Sequence, residues 1–334
     1  MSRAAALVRL LSVAGRGALA GVGRLRGLPR RRWLLAAAGV AGLLVLLVFP
    51  VSMVVISRID DNPAFTAAHP LPGRLQALAV TGALITRELE VNKWRANDPL
   101  FLPGGWLRDM PGFQLGLVGA LARFTGALVV ENGAGWTANG PDVTLNHAAG
   151  LLKYPGTVWK FDTRTSWLPT ASAEKQYRNA QRSLDEFNQN FIAGTVPFER
   201  TSQSLALVVE ALTRDLDETL EAVDHHLAED RPVLLNFAIN GVFYRNKGRL
   251  YADSIVMREL GRDFEAVLAQ HQLGPAWGRM VEALATAARP KPTLLWSAPA
   301  DSSLLPNHLL AQGFYAAQAR LQATQILAEL RPSG

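Results

Sequence analysis

The chain has 334 residues, a net charge of +6 and no cysteine, which excludes disulfides, thiolate zinc sites, iron–sulfur clusters and cysteine nucleophiles. Residues 1–32 hold eight arginines and no acidic residue, so removing those eight charges from +6 leaves −2 for residues 33–334. The bulk of the chain therefore lacks the basic surplus that neutralises phosphates, and no nucleic-acid partner is expected.

In chain order, residues 1–32 read as a basic cytoplasmic tail. Residues 3–26 mix arginine with Leu, Val and Ala, the pattern of an amphipathic helix lying on an anionic leaflet. Their glycines support the other reading, a disordered basic tail. Gly21-Val22-Gly23 is not a nucleotide loop, because no strand precedes it.

From Trp33 to Ser57, 25 consecutive residues carry no charge. As a helix they cover about 37 Å, more than the ~30 Å of bilayer hydrocarbon, which predicts a transmembrane helix over 33–57. Arg30, Arg31 and Arg32 abut its near end, whereas the far end opens on Arg58-Ile59-Asp60-Asp61. That asymmetry predicts an N-terminus held in the cytoplasm and a C-terminal domain outside, in the periplasm of a bacterium. A cleaved signal peptide fits poorly: its basic region is shorter, and Ser52-Met53-Val54-Val55-Ile56 offers no small-x-small site. Arg30-Arg31-Arg32-Trp33-Leu34-Leu35 resembles a twin-arginine signal, but the apolar run is too hydrophobic and no cofactor motif follows. Ala38 and Gly42 form a small-x-x-x-small pair, a hint of a homodimer.

Residues 58–71, with Pro63 and Pro70, read as a linker. Residues 72–331 then read as one all-α periplasmic domain of about eight helices, with a division into two lobes considered near 155–170. The predicted helices are Leu75–Val91, Phe113–Val130, Asp142–Tyr154 with Asp142 as N-cap, and Ser172–Ile192. The clearest follows, with Leu205, Val208, Val209, Leu212, Leu216, Leu220, Val223 and Leu227 at helical spacing. Phe243–Leu273, Pro275–Ala288 and Pro306–Leu330 complete the set. Thr293-Leu294-Leu295-Trp296 and Val233-Leu234-Leu235 are short apolar runs suited to small strands or loop anchors.

Reaction signatures are scarce. No G-x-S-x-G, P-loop or H-E-x-x-H occurs. Ser172-Ala173-Glu174-Lys175 fits S-x-x-K, but its companions S-D-N and K-T-G are missing, so Ser172 reads as an N-cap whose hydroxyl accepts from the first turn. His225 and His226 point about 100° apart on a helix and do not readily share a metal; Glu221 with His225 makes half a site at most. No metal and no cofactor is expected.

The segment 92–114 stands out, with four aromatics, three prolines and three glycines and no helical period. Long structured loops of this kind often carry function. Its candidate binding surface is Trp94, Asp98, Trp106, Arg108, Asp109 and Gln114. With Trp136, Trp159 and Trp167 nearby, exposed indoles beside carboxylates would suit stacking on sugar rings, and peptidoglycan is the glycan outside that membrane. The competing reading is that the aromatics pin the loop to the bundle, with Asn97-Asp98-Pro99 as a turn. A glycosidase would also need carboxylates, for which Asp98, Asp109, Glu131 and Asp142 qualify by location only.

That loop motif, Leu151-Leu152-Lys153-Tyr154-Pro155-Gly156 through Trp159, Pro169-Thr170-Ala171-Ser172 with Tyr177, and Pro306-Asn307-His308-Leu309 together resemble a bacterial family of domains of unknown function 2333. The resemblance covers nearly everything after residue 57. It implies an N-terminally anchored inner-membrane protein and brings no reaction, ligand or catalytic residue; the arginine-rich leader here is longer than the resemblance implies. The expectation is thus a membrane-anchored envelope protein, a non-enzymatic interaction or structural module. Its partners would be the bilayer and an envelope protein or peptidoglycan. The alternative is an enzyme that binds or cleaves peptidoglycan.

Overall fold

The structure, a computed structural model, describes residues 30–67, 73–131, 142–161, 168–228, 237–292 and 307–331. It is all-helical, and no strand occurs among the described residues. The two short apolar runs near 233 and 293 lie outside them, as do residues 1–29. Two units separate, Met1–Val55 and Ile56–Gly334.

The first unit contains one described helix, α1 (Arg30–Ile56), with Pro50 near its far end. Its exposed Leu34, Leu35, Val40, Leu43, Leu46, Leu47, Val48, Val51, Val54 and Val55 are distributed around the whole circumference. A helix packing on one side of a soluble core instead shows one apolar stripe.

The second unit is assembled from α2 (Gln76–Thr86), α3 (Asp109–Glu131), α4 (Val143–Leu152), α5 (Ala173–Ile192), α6 (Ser202–Ala228), α7 (Phe237–Asp263), α8 (Glu265–Gln270), α9 (Gly274–Ala288) and α10 (His308–Leu330). The packing is layered. α3 and α7 form the centre; α2, α4 and α5 cover one flank, and α6, α9 and α10 the other. α5 bridges α2 and α4, just as α10 bridges α6 and α9. α4 and α5, on either side of the division considered near 155–170, pack against each other within this one unit.

Among the described residues, the helix long and apolar enough by length and composition to cross a bilayer is α3, with mean hydropathy 1.6 over Asp109–Val130, while the apolar run within α1 is the shorter Leu46–Ile56. Yet 61% of the α3 window is buried, and Phe113, Leu117 and Leu121 are wholly enclosed by neighbouring helices. Its apolarity serves the core. Glycine brings it close to α7: a Cβ on Gly116 would lie 1.9 Å from the Arg245 carbonyl oxygen, and one on Gly248 2.0 Å from that of Phe113. Nothing larger than hydrogen fits at either position.

Helix starts depart from expectation in instructive ways. α3 begins at Asp109 rather than Phe113 because Pro111 sits in the first turn, where no N–H is needed. Asp142 does cap α4, its Oδ1 accepting from the amides of Thr144 (2.8 Å) and Leu145 (2.9 Å). Ser172 occupies the N-cap of α5 but makes no side-chain cap. The Ala173 amide donates to the Val158 carbonyl instead, at 3.1 Å. α10 is capped by Asn307, whose Oδ1 accepts from the Leu310 amide at 2.9 Å. The long predicted helix Phe243–Leu273 is broken at Phe264, which leaves helical geometry (φ −111°, ψ 22°) between α7 and α8.

The expected linker is partly fastened down. Asp61 is buried in ion pairs with Lys247 (2.6 Å) and Lys291. Tyr251 donates to the Asn62 carbonyl at 2.9 Å, and Arg258 to those of Pro63 and Phe65. Ile59 and Phe65 pack against the core. Residues 59–65 therefore belong to the folded domain.

Candidate functional site

The loop of residues 92–108 is built on a buried polar knot. After α2 the chain makes a π-helical turn, Arg87–Val91, and Lys93 then takes a left-handed conformation (φ 61°). Glu88 is fully buried and accepts from Arg87 Nε and Asn92 Nδ2, each at 3.0 Å. The Gln114 amide on α3 donates to Glu88 (3.2 Å) and to the Lys93 carbonyl (2.8 Å), and accepts from the Arg95 amide at 2.7 Å. Arg87 also donates to Tyr251 Oη at 2.8 Å. Most of these groups meet a charge or a main-chain group that burial would otherwise strand, and Arg87 Nη2 lies 2.9 Å from Glu88.

This knot divides the six residues predicted as one surface. Gln114 is fully buried, and so is Trp94, whose indole donates to the Gly156 carbonyl at 2.8 Å and packs edge-on against Tyr177. Both are unavailable to a ligand; they pin the loop. Asp98 is largely enclosed beside Arg95 at 3.4 Å, and burial raises its pKa against the opposing pull of that arginine. Asp109 is half-buried in the first turn of α3. Trp106 and Arg108 are exposed. Trp106 anchors by donating to the Leu100 carbonyl at 2.6 Å and leaves its ring in solvent.

Beside it runs an aromatic row: Phe101 packs edge-on against Trp159, and Trp159 against Phe161. Phe101 and Phe161 are exposed, and Trp159 is half-buried. Trp136 and Trp167 lie outside the described residues, as does the Glu131 side chain. The residues of the family resemblance interlock here: Tyr177 donates to the Tyr154 carbonyl (2.7 Å), Tyr154 to that of Ala171 (2.9 Å), and Asn97 to that of Val158 (3.0 Å).

The more concave site was not among the sequence-derived candidates, apart from Arg108. A groove of about 490 Å³ runs between α3, α6 and α7. α3 supplies Pro111, Gly112 and Leu115 at helical spacing, preceded by Arg108; α6 supplies Glu218 and Ala222; α7 supplies Gly241, Val242, Arg245, Asn246 and Arg249. Arg249 is 13% exposed and reaches down to Asp215 (3.3 Å) and Thr219 (3.0 Å). Arg108 and Arg245 are exposed, with no ion pair among the described residues. Asn246 is 2% exposed, and its Nδ2 has no acceptor there.

Beneath Arg249 lie two buried carboxylates, Asp215 on α6 and Asp253 on α7. Asp215 pairs with Arg123 and Arg249. Burial and then the Asp215 charge drive the Asp253 pKa well above the usual carboxylate range. Two carboxylates in hydrogen-bonding proximity cannot both ionise there. Burial beside the Asp215 charge favours the protonated form of Asp253, in which it would act as donor to Asp215.

Among the described residues, no three His, Asp or Glu side chains converge as metal ligands. His226 is buried on α6. α7 carried a signal for the groove in Arg245, Asn246 and Arg249, polar residues within about one turn of each other. No family model, no curated protein and no solved structure matches this chain.

Proposed function

We propose that the protein is a single-pass inner-membrane protein whose helical domain faces the periplasm and serves as a non-enzymatic interaction module of the cell envelope. The observation that carries this reading is α1, apolar around its whole circumference and headed by Arg30, Arg31 and Arg32. Such a helix has no side to turn toward water and matches the bilayer in length. Membership of the uncharacterised family it resembles is part of the proposal. The interlocked Trp94, Gly156, Tyr154 and Tyr177 support that membership by giving the shared motifs one structural task.

Fusion of a periplasm-dependent reporter to the C-terminus tests the topology. Activity of that reporter, with a cytoplasm-dependent one silent, is the expected result, and the reverse pattern would defeat the reading.

Peptidoglycan binding is a second reading, favoured by the exposed Trp106, Phe101 and Phe161. Aromatic faces stack on sugar rings, and rigid side chains lose little entropy in doing so. On this reading, the protein co-sediments with purified sacculi, and Trp106→Ala lowers the bound fraction several-fold. Retention unchanged by Trp106→Ala would remove the aromatic row from consideration, and no co-sedimentation would remove glycan binding altogether. Release of soluble fragments from labelled sacculi, abolished by Asp98→Asn, would convert the binding module into an enzyme.

A further inference from the structure

We propose that the groove between α3, α6 and α7 binds a small anionic amphiphile, a phosphate or carboxylate head attached to an apolar portion. The head would sit among Arg245, Arg108 and Asn246. Arg245 lies on α7 and Arg108 just before α3, and neither pairs with a carboxylate among the described residues. The acid in the lining, Glu218, is already engaged by Arg123 and lies 3.9 Å from Arg249. Among the described residues these two exposed cations thus have no carboxylate partner, on a chain whose charge after residue 32 sums to −2.

Asn246 gives the independent indication. A side chain 98% enclosed should have its amide satisfied, because an unmet buried donor costs free energy. Asn246 lines this groove, but its Nδ2 is closed off from solvent and has no acceptor, so a ligand reaches it only after a small shift of the groove wall. An oxygen of a bound anion is the group that would meet it, since phosphate and carboxylate offer acceptors only, and arginine binds them bidentately.

The apolar portion follows from the remaining wall. Leu107, Pro111, Leu115 and Val242 line the same groove. A free inorganic ion would leave that surface wet, whereas a short hydrocarbon would bury it. Two sources share this chemistry, a membrane phospholipid head and a soluble phosphate ester, and neither requires α1 to cross a membrane.

The test titrates the purified full chain in a neutral detergent with dihexanoyl phosphatidic acid and, separately, with glycerol 3-phosphate. Binding of the phosphatidic acid is expected, weakened about ten-fold by Arg245→Gln and further by added salt. Glycerol 3-phosphate should compete for the same site with lower affinity. Asn246→Ala should bind less tightly while melting no earlier than the parent, a combination that a merely structural asparagine would not give. Tighter binding of glycerol 3-phosphate than of the lipid would overturn the amphiphile. Absence of binding by either probe, or affinity indifferent to Arg245→Gln, would overturn the site.

Discussion

At the scale of single residues, the molecule places charge where it is hardest to hold. Asp253 is buried with Asp215, and desolvation followed by like-charge repulsion raises its pKa. A carboxyl whose folded pKa lies above its unfolded value near 4 binds more protons folded than unfolded. Its favourable contribution is full below that unfolded value and is lost as pH rises through the folded one. Asp263 acts in the same direction: burial pushes it to about 6, despite hydrogen bonds of 2.9 Å from the Gln76 and Ala77 amides. Asp253→Asn should therefore gain stability relative to the parent as pH rises from 5 to 8, read in urea unfolding midpoints. Asp215→Asn should instead cost about 3 kcal/mol at both pH values, because Arg123 and Arg249 lose their buried partner. Equal effects of the two substitutions at both pH values would refute the shared proton. None of this pairing was legible in the sequence, since Asp215 and Asp253 lie 38 positions apart and only tertiary packing makes them neighbours. The reading that aromatics pin the loop singled out no one ring, because composition alone does not say which of Trp94 and Trp106 faces inward, and Gln114 carried no sign of its burial.

At the scale of elements, periodicity carried most of the fold, and its exceptions have local causes. The apolar repeat from Leu205 to Leu227 lies inside α6, and Asp142 caps α4 as its position before a periodic run implied. Phe264 broke one predicted helix into two because the apolar pattern continues through the bend, so periodicity had nothing to register there. The closest helix contact, α3 against α7, rests on absent side chains, which no hydrophobic pattern reveals. Gly116→Ala and Gly248→Ala should each destabilise the domain by about 3 kcal/mol, lowering Tm by roughly 6–10 °C for a domain of this size. Gly119→Ala, with nothing within 4 Å of its Cβ, should leave Tm unchanged or raise it, since alanine is the better helix former. A similar loss at all three positions would mean that helix packing is not set by glycine contact.

At the scale of the whole molecule, the chain divides into an arginine-rich leader with an apolar helix and a mildly acidic layered bundle. The all-α class was readable because helical spacing dominates after residue 75. The fastening of residues 59–65 onto α7 was not readable, because Pro63 and the acidic pair Asp60-Asp61 carry the composition of a free linker. The proposed topology is the central claim, and the absence of cysteine makes its test clean. In a Glu199→Cys variant the single thiol is on an exposed surface position of the bundle, and in Ser2→Cys it lies in the leader. Intact spheroplasts are treated with a membrane-impermeant maleimide before and after lysis. Labelling of Cys at position 199 in intact spheroplasts, with position 2 labelled only after lysis, is the predicted result. Protection of position 199 until lysis would contradict it.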